Sequence, residues 1–249
     1  MTIQTKIKDR LIIALDTSSE DEVLKLIKTL SDKVGYFKVG LELFTCFGPR
    51  IIQIIKESGN KVFFDGKFLD IPNTVSKAVS NMVKHRVDMI NVHMSGGGKM
   101  LKVAKNSLIQ TAKEENVDPP KLLGVTVLTS ITNEVLQNDL KVKSQIDEYV
   151  LHLTIYALET KLDGIICSPN EAKIIREASK DNKDFLIVTP GIRPLWAETN
   201  DQERIATPQY AIKSGATHIV VGRPITSAKD PQDAVKKILD EIEEALQKP

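Results

Sequence analysis

Three charged side chains stand close together where an apolar run ends: Asp65, Lys67 and Asp70, within Val62-Phe63-Phe64-Asp65-Gly66-Lys67-Phe68-Leu69-Asp70-Ile71-Pro72-Asn73-Thr74. Such an array is costly to bury unless its charges face water, neutralise one another or do chemistry. A lysine held between carboxylates stays protonated, which suits an acid or proton donor. The plainer reading is a surface ion-pair cluster in a strand-to-helix loop, since ion-pair networks also gather charge without being catalytic. Where the rest of the chain puts this stretch decides between them.

The frame is regular. Arg10–Asp16, Gly35–Gly40, the run from Val62, Asp88–His93, Leu122–Leu128, Asp163–Cys167, Phe185–Thr189 and Thr217–Gly222 are short apolar runs that read as strands buried on both faces. Between them lie helical patterns. Val23, Leu24, Leu26, Ile27 and Leu30 follow a cap at Thr17, Ser18 or Ser19. Ile51, Ile52, Ile54 and Ile55 lead to a stop at Gly59, and a helix is expected from Pro72 to His85. Two helical pieces fill Asn133 to Thr160, and Ala234, Val235, Ile238, Leu239, Ile242 and Leu246 line the last helix. Strict alternation of strand and helix argues for a parallel sheet. Eight units in 249 residues predict an α/β chain folded as one closed (β/α)8 TIM barrel, residues 1–249 forming a single domain. The alternative, an open doubly wound sheet, would carry a dinucleotide fingerprint after the first strand. That turn reads Asp16-Thr17-Ser18-Ser19, without glycine, and Gly96-Gly97-Gly98 reads as a tight turn after the fourth run.

Barrels work at the carboxyl ends of their strands. The exits in order are Asp16, Lys38, the Asp65/Lys67/Asp70 group, His93, Thr129-Ser130, Arg193 and Arg223. So many charges at one rim favour a reaction centre over a chance surface cluster. Pro190-Gly191-Ile192-Arg193 and Gly222-Arg223 each set a glycine beside an arginine. Glycine lets backbone N–H groups approach an anion, and arginine offers a planar fork matched to phosphate oxygens. Phosphate sites of barrels lie in the loops after the seventh and eighth strands. The polar segment from Arg193 to Thr207, containing Asp201-Gln202-Glu203-Arg204, is long enough for a lid. The residues thus describe an enzyme acting on a small phosphorylated molecule, with two lysines and three carboxylates at its reacting end.

Composition narrows the partners. Hydrophobic content of 41% and charged content of 27% are those of an ordinary globular protein. With 34 basic and 33 acidic residues the net charge is +1, which offers no global attraction to nucleic acid or anionic membranes. No signal core or membrane-length apolar run is visible, so a cytoplasmic protein is expected. Cys46 and Cys167 read as two buried thiols, and no metal-ligand spacing is present. His93 reads as a hydrogen-bonding partner, and His85, His152 and His218 as structural residues.

Phe64-Asp65-Gly66-Lys67-Phe68-Leu69-Asp70-Ile71-Pro72 resembles the Asp-x-Lys-x-x-Asp-Ile motif of the orotidine 5′-phosphate decarboxylase family. Ile13-Ala14-Leu15-Asp16, Phe37-Lys38-Val39-Gly40, Asn91-Val92-His93, Val127-Leu128-Thr129-Ser130, Pro190-Gly191-Ile192-Arg193 and Val221-Gly222-Arg223-Pro224-Ile225-Thr226 resemble its bacterial type, in the family's order. The resemblance implies a stand-alone, metal-free decarboxylase without cofactor, converting orotidine 5′-phosphate to uridine 5′-phosphate at the last step of its de novo synthesis. It implies a charged network of Lys38, Asp65, Lys67 and Asp70 over C6 of the pyrimidine. Lys67 would stabilise and protonate a C6 carbanion. Asp16 and Lys38 would hold the ribose, and Thr129 or Ser130 the pyrimidine edge. Ile71 and Pro190 would wall the ring, and Arg193, Gln202, Gly222 and Arg223 would take the phosphate. It further implies a homodimer in which Asp70 and Thr74 serve the neighbouring site.

Two rivals remain at this stage. Metal-dependent sugar-phosphate decarboxylases of the 3-keto-gulonate 6-phosphate type resemble the chain at Asp16 and in the Asp-x-Lys-x-x-Asp motif. They carry a glutamate, which helps hold a magnesium ion, where this chain has Lys38. A non-catalytic sensor of phosphorylated ligands would need no lysine between two aspartates.

Overall fold

Each strand carries alternate residues to opposite faces, and this periodicity builds the molecule. The computed structural model describes residues 7–197 and 206–247. Eight parallel strands close in sequence order: β1 (Leu11–Ala14), β2 (Tyr36–Val39), β3 (Lys61–Phe68), β4 (Met89–His93), β5 (Lys121–Val125), β6 (Gly164–Ile166), β7 (Leu186–Thr189) and β8 (His218–Val221), with β8 pairing back to β1. The expected barrel is the fold.

One set of side chains fills the barrel: Ile12, Ala14, Tyr36, Phe63, Met89, Leu123, Val125, Ile166, Val188 and Val220. The intervening residues, such as Leu11, Ile13, Phe37, Val39, Phe64, Ile90 and Val92, point outward and meet the helices. These are α1 (Glu20–Leu30), α2 (Leu41–Phe47), α3 (Arg50–Glu57), α4 (Pro72–Lys84), α5 (Gly97–Glu114), α6 (Ile146–Glu159), α7 (Ala172–Ala178), α8 (Pro208–Lys213), α9 (Arg223–Thr226) and α10 (Pro231–Gln247). Ser19 is the cap of α1, accepting from the N–H of Glu22, and Pro72 opens α4 where its missing N–H does no harm.

The parity rule explains how the site is delivered. Continuing the inward set by two residues along β1, β2, β3 and β4 reaches Asp16, Lys38, Asp65 and Asn91. The pattern that packs apolar side chains inside the barrel therefore places polar ones at its mouth.

Several local expectations change. Cys167 is buried, but Cys46 is exposed, its Sγ 3.7 Å from the Ser18 carbonyl, because α2 is short and turns that side to solvent. Gly96-Gly97-Gly98 is the junction of a single 3-10 turn (Met94–Gly96) with α5. Gly97, at φ 74°, makes the bend between them. β5 ends at Val125, and Thr126 is held by its hydroxyl to the Ile166 carbonyl at 2.8 Å. His85, in the turn that ends α4, and His152, on α6, are exposed, while His218 alone of that trio packs inside, edge-on to Tyr36.

Candidate active site

β3 does not run straight. Phe64 is opposite Ile90 and Phe68 is opposite Val92, so four steps along β3 match two along β4. The surplus forms a bulge at Asp65-Gly66-Lys67, and bulges re-aim side chains. Lys67 adopts φ 47°, a left-handed conformation that disfavours a residue with a Cβ. Gly66 is required beside it: a Cβ there would lie 2.4 Å from the Phe64 ring.

The bulge aims two charges into the barrel mouth. Lys67 Nζ donates to Asp65 Oδ1 at 2.7 Å. Lys38 Nζ donates to Asp16 Oδ1 at 2.9 Å and lies 3.5 Å from Asp65 Oδ2, so its ammonium bridges the two carboxylates. Gly40 makes room for that bridge, since a Cβ at this position would come 2.9 Å from Lys38 Nζ. Burial pushes the Asp65 carboxyl up. The charges of Lys38 and Lys67, with hydrogen bonds from Lys67 and Asn91, outweigh burial and hold it below its ordinary range. His93 accepts or donates at Nδ1 to Ser95 Oγ, 2.8 Å away, and burial, then the Lys67 charge, push its pKa down.

A cavity of about 250 Å³ lies above this network. Lys38, Asp65 and Lys67 form its charged side, Phe63, Val125, Ile166 and Val220 its apolar floor, and Thr129, Ser130 and Pro190 its rim. A second cavity, of about 300 Å³, is lined by Arg193, Arg223 and Trp196 after β7 and β8. Arg193 is buried, and its backbone N–H is anchored to the Ala206 carbonyl at 2.8 Å. Gly222 joins the two regions, a Cβ on it lying 3.6 Å from Ala14 Cβ and 3.9 Å from Asp16 Oδ2. The arrangement can hold an anion at one end and present an ammonium to a partly apolar chamber at the other.

Asp16, Lys38, Asp65 and Lys67 thus come together, with Thr129, Ser130 and Pro190 facing them. Asp70, Ile71 and Thr74 stand apart, exposed on the outer side of the rim. The Asp70 carboxylate accepts from the N–H of Ile71 at 2.6 Å, and Leu69 and Ile71 are 55% and 67% exposed beside it. Gln202 lies outside the described residues.

Comparison with known proteins identifies the frame. The model of the Orotidine 5'-phosphate decarboxylase / HUMPS family matches residues 9–238. The chain belongs to this family. It is 44% identical over 234 residues to the orotidine 5'-phosphate decarboxylase of Nostoc sp. (strain PCC 7120), covering 94% of this chain and 97% of that protein. With the corresponding protein of Moorella thermoacetica it shares 43% over 241 residues, 97% and 95% of the two chains. The crystal structure of orotidine 5'-phosphate decarboxylase from Lactobacillus acidophilus superimposes with a TM-score of 0.82 at 40% identity, covering 94% of this chain and 99% of that one.

Within this decarboxylase-family barrel, one polar residue escaped the sequence reading as a site residue. Asn91 is wholly buried and bonds both Asp65 and the Lys67 backbone. The available signal was an asparagine at an inward position of an otherwise apolar run, where a buried amide needs partners.

Proposed function

We propose that this chain is an orotidine 5′-phosphate decarboxylase, a carboxy-lyase releasing CO2 to leave uridine 5′-phosphate at the end of de novo pyrimidine nucleotide synthesis. The observation that carries the reading is the Lys67 ammonium, 2.7 Å from Asp65, aimed into the mouth chamber of a barrel of this family. The phosphate sits with Arg193, Gly222 and Arg223, with Gln202 added from the 193–207 segment. Asp16 and Lys38 hold the ribose hydroxyls, Thr129 or Ser130 meets the pyrimidine edge, and Pro190 covers the ring.

The chemistry follows from the charges. The substrate carboxylate lies toward Asp65, an anion that its partners keep ionised. The bond from C6 to the carboxylate carbon breaks, CO2 departs, and the electron pair remains on C6. Lys67 stabilises that carbanion and passes it a proton from Nζ, and the neutral amine recovers a proton from solvent. Binding energy from the remote phosphate grip supports the step, since it holds the ring in register with Lys67.

The family also spans sugar-phosphate chemistry, and Lys38 separates the two readings. Its ammonium occupies the space between Asp16 and Asp65, supplying the positive charge that a divalent ion would bring to those carboxylates. Among the described residues no cluster of three or more His, Cys, Asp or Glu side chains could hold a metal ion. The exposed Asp70 and Thr74, flanked by Leu69 and Ile71, support a homodimer in which these residues complete the partner's site, Ile71 included as its ring wall. The whole chain, residues 1–249, then acts as one domain, working in the cytoplasm on a small molecule and not on nucleic acid. No helix among the described residues is long and apolar enough to cross a membrane.

A spectrophotometric assay with orotidine 5′-phosphate tests the activity. Turnover that survives a chelator is expected, and a protein yielding no uridine 5′-phosphate would refute the reading. For the shared site, inactive Lys67→Ala and Asp70→Ala subunits are mixed and allowed to exchange. About a quarter of wild-type activity should return, because half the dimers are mixed and each holds one intact site. No recovery after demonstrated exchange would remove Asp70 from the neighbour's chemistry.

A further inference from the structure

We propose that Asn91 is the positioning residue of this site, clamping the β3 bulge so that Lys67 is held with its ammonium aimed into the chamber. The claim rests on the decarboxylase reading above and adds to it a residue that touches no substrate.

The geometry is that of a two-sided clamp. Asn91 Oδ1 accepts from the Lys67 backbone N–H at 2.7 Å, and Asn91 Nδ2 donates to Asp65 Oδ1 at 2.6 Å. The orientation of the amide is unambiguous, because a backbone N–H can only donate and a carboxylate can only accept. Asn91 lies between Ile90 and Val92, the two β4 residues that pair with Phe64 and Phe68. It therefore faces the gap that the bulge opens in the ladder, and its side chain replaces the missing inter-strand bond. Both bonds are sheltered, since Asn91 is 0% exposed.

Three features show that the bulge needs such a clamp. Lys67 sits at φ 47°, a conformation that surrounding structure must impose. Without Asn91 its N–H would face a cavity wall with no strand partner, and the backbone would gain by turning to find one. Asp65 would lose one of the donors that hold it ionised. A carboxamide carries a donor and an acceptor on one terminal carbon without having to change its protonation state.

The test separates turnover from binding. In Asn91→Ala, kcat should fall about 100-fold, the effect of an ångström-scale misplacement of a catalytic group. The KM for orotidine 5′-phosphate and the dissociation constant for uridine 5′-phosphate should stay within about threefold. Asn91→Asp adds a readout that a structural role would not move. Ionised, it still accepts from Lys67 but sets a second carboxylate against Asp65, where Asp16, Lys38, Lys67 and His93 are the other groups facing it from β1 to β4. Protonated, it can donate again. The ratio of variant to wild-type kcat should therefore rise as the pH is lowered from about 8 to about 6, like charges having raised the new carboxyl's pKa. Taking the ratio cancels titrations common to both proteins. A folded Asn91→Ala protein with kcat within about threefold of wild type, a loss shared equally by product binding, or a flat ratio for Asn91→Asp would each overturn the proposal. Failure of both variants to fold would assign Asn91 to stability and overturn it too. Turnover by the wild-type protein is the control that keeps this claim separate from the functional reading.

Discussion

The two ends of the barrel use the same residue types to opposite effect. At the amino ends of the strands, Asp88 accepts from the Val62 N–H at 2.7 Å and from Lys56 Nζ at 2.8 Å. Asp163 accepts from the Leu122 N–H at 2.8 Å and pairs with Lys105. Each carboxylate there ties a neighbouring strand's backbone to a helix-borne lysine. At the carboxyl ends, Asp65 accepts from Lys67 Nζ and Asn91 Nδ2 and faces Lys38, and its side-chain bonds go to side chains only. The foot satisfies its charges with a fixed backbone N–H beside each lysine. The mouth satisfies them with ammonium groups that also line an open chamber. What distinguishes the ion pairs at the foot from the one proposed to react at the mouth is what else each carboxylate bonds, not the residue or the distance.

The largest effect should therefore follow from exchanging which lysine is lost. Lys67→Ala should lower kcat by at least about 10⁴-fold, the upper range for removing a proton donor. It should change unfolding free energy by less than about 1 kcal/mol, as for other partly exposed ion pairs. Lys105→Ala should do the reverse: kcat within about twofold, and stability lower by about 1 to 2 kcal/mol as a carboxylate loses its charged partner. Steady-state kinetics and urea unfolding on both proteins decide it. A Lys105→Ala enzyme as inactive as Lys67→Ala would erase the distinction.

The same contrast accounts for what could be read from the sequence. Lys38, Asp65 and Arg193 were legible because each is a charge at the end of an apolar run, and the regular recurrence of such runs implied the barrel. Asn91 was not, because its role depends on a partner in another strand. The bulge was not, because Lys61–Phe68 reads as continuous strand, and only Gly66 hints that the backbone must bend there. Helix α2 (Leu41–Phe47) was missed because two turns of chain carry too little periodicity to register. Asp70 and Ile71 could be recognised as motif residues, but their outward placement depends on the turn into α4, which no local spacing states.

Two histidines extend the comparison into pH. His218 begins β8 at the foot, edge-on to Tyr36 with ring centroids 5.8 Å apart. Burial, followed by the charges of Arg10 and Lys61, pushes its pKa down to about 4. The folded value lies below the unfolded one, so the unfolded chain binds the extra proton first. The contribution to stability is complete above about pH 6.5 and is lost as the pH falls toward 4, a loss of about 3 kcal/mol over that window. In His218→Leu this part of the acid sensitivity should disappear, as measured by urea unfolding at pH 7 and pH 4.5. His93, at the mouth, is also shifted down, but there the Lys67 charge contributes. Its removal should alter the pH profile of turnover more than that of stability. Equal loss of acid sensitivity in both variants would show that the two ends are not separable by titration.

The finest test uses β3 itself, which is held at its foot by Asp88 and at its head by Asn91. Asp88→Ala leaves the Val62 N–H without its acceptor and should destabilise by about 2 kcal/mol. Asp88→Asn can keep an oxygen on that N–H and loses only the partly exposed attraction to Lys56, so it should cost about 0.5 kcal/mol. In both, kcat should remain within about twofold of wild type, because Val62 stays fixed by its ladder with β2 and the bulge is set from the other end. If kcat fell in step with the stability of these variants, the head of β3 would be positioned from its foot. The clamp at Asn91 would then be a consequence of the strand's placement and not its cause.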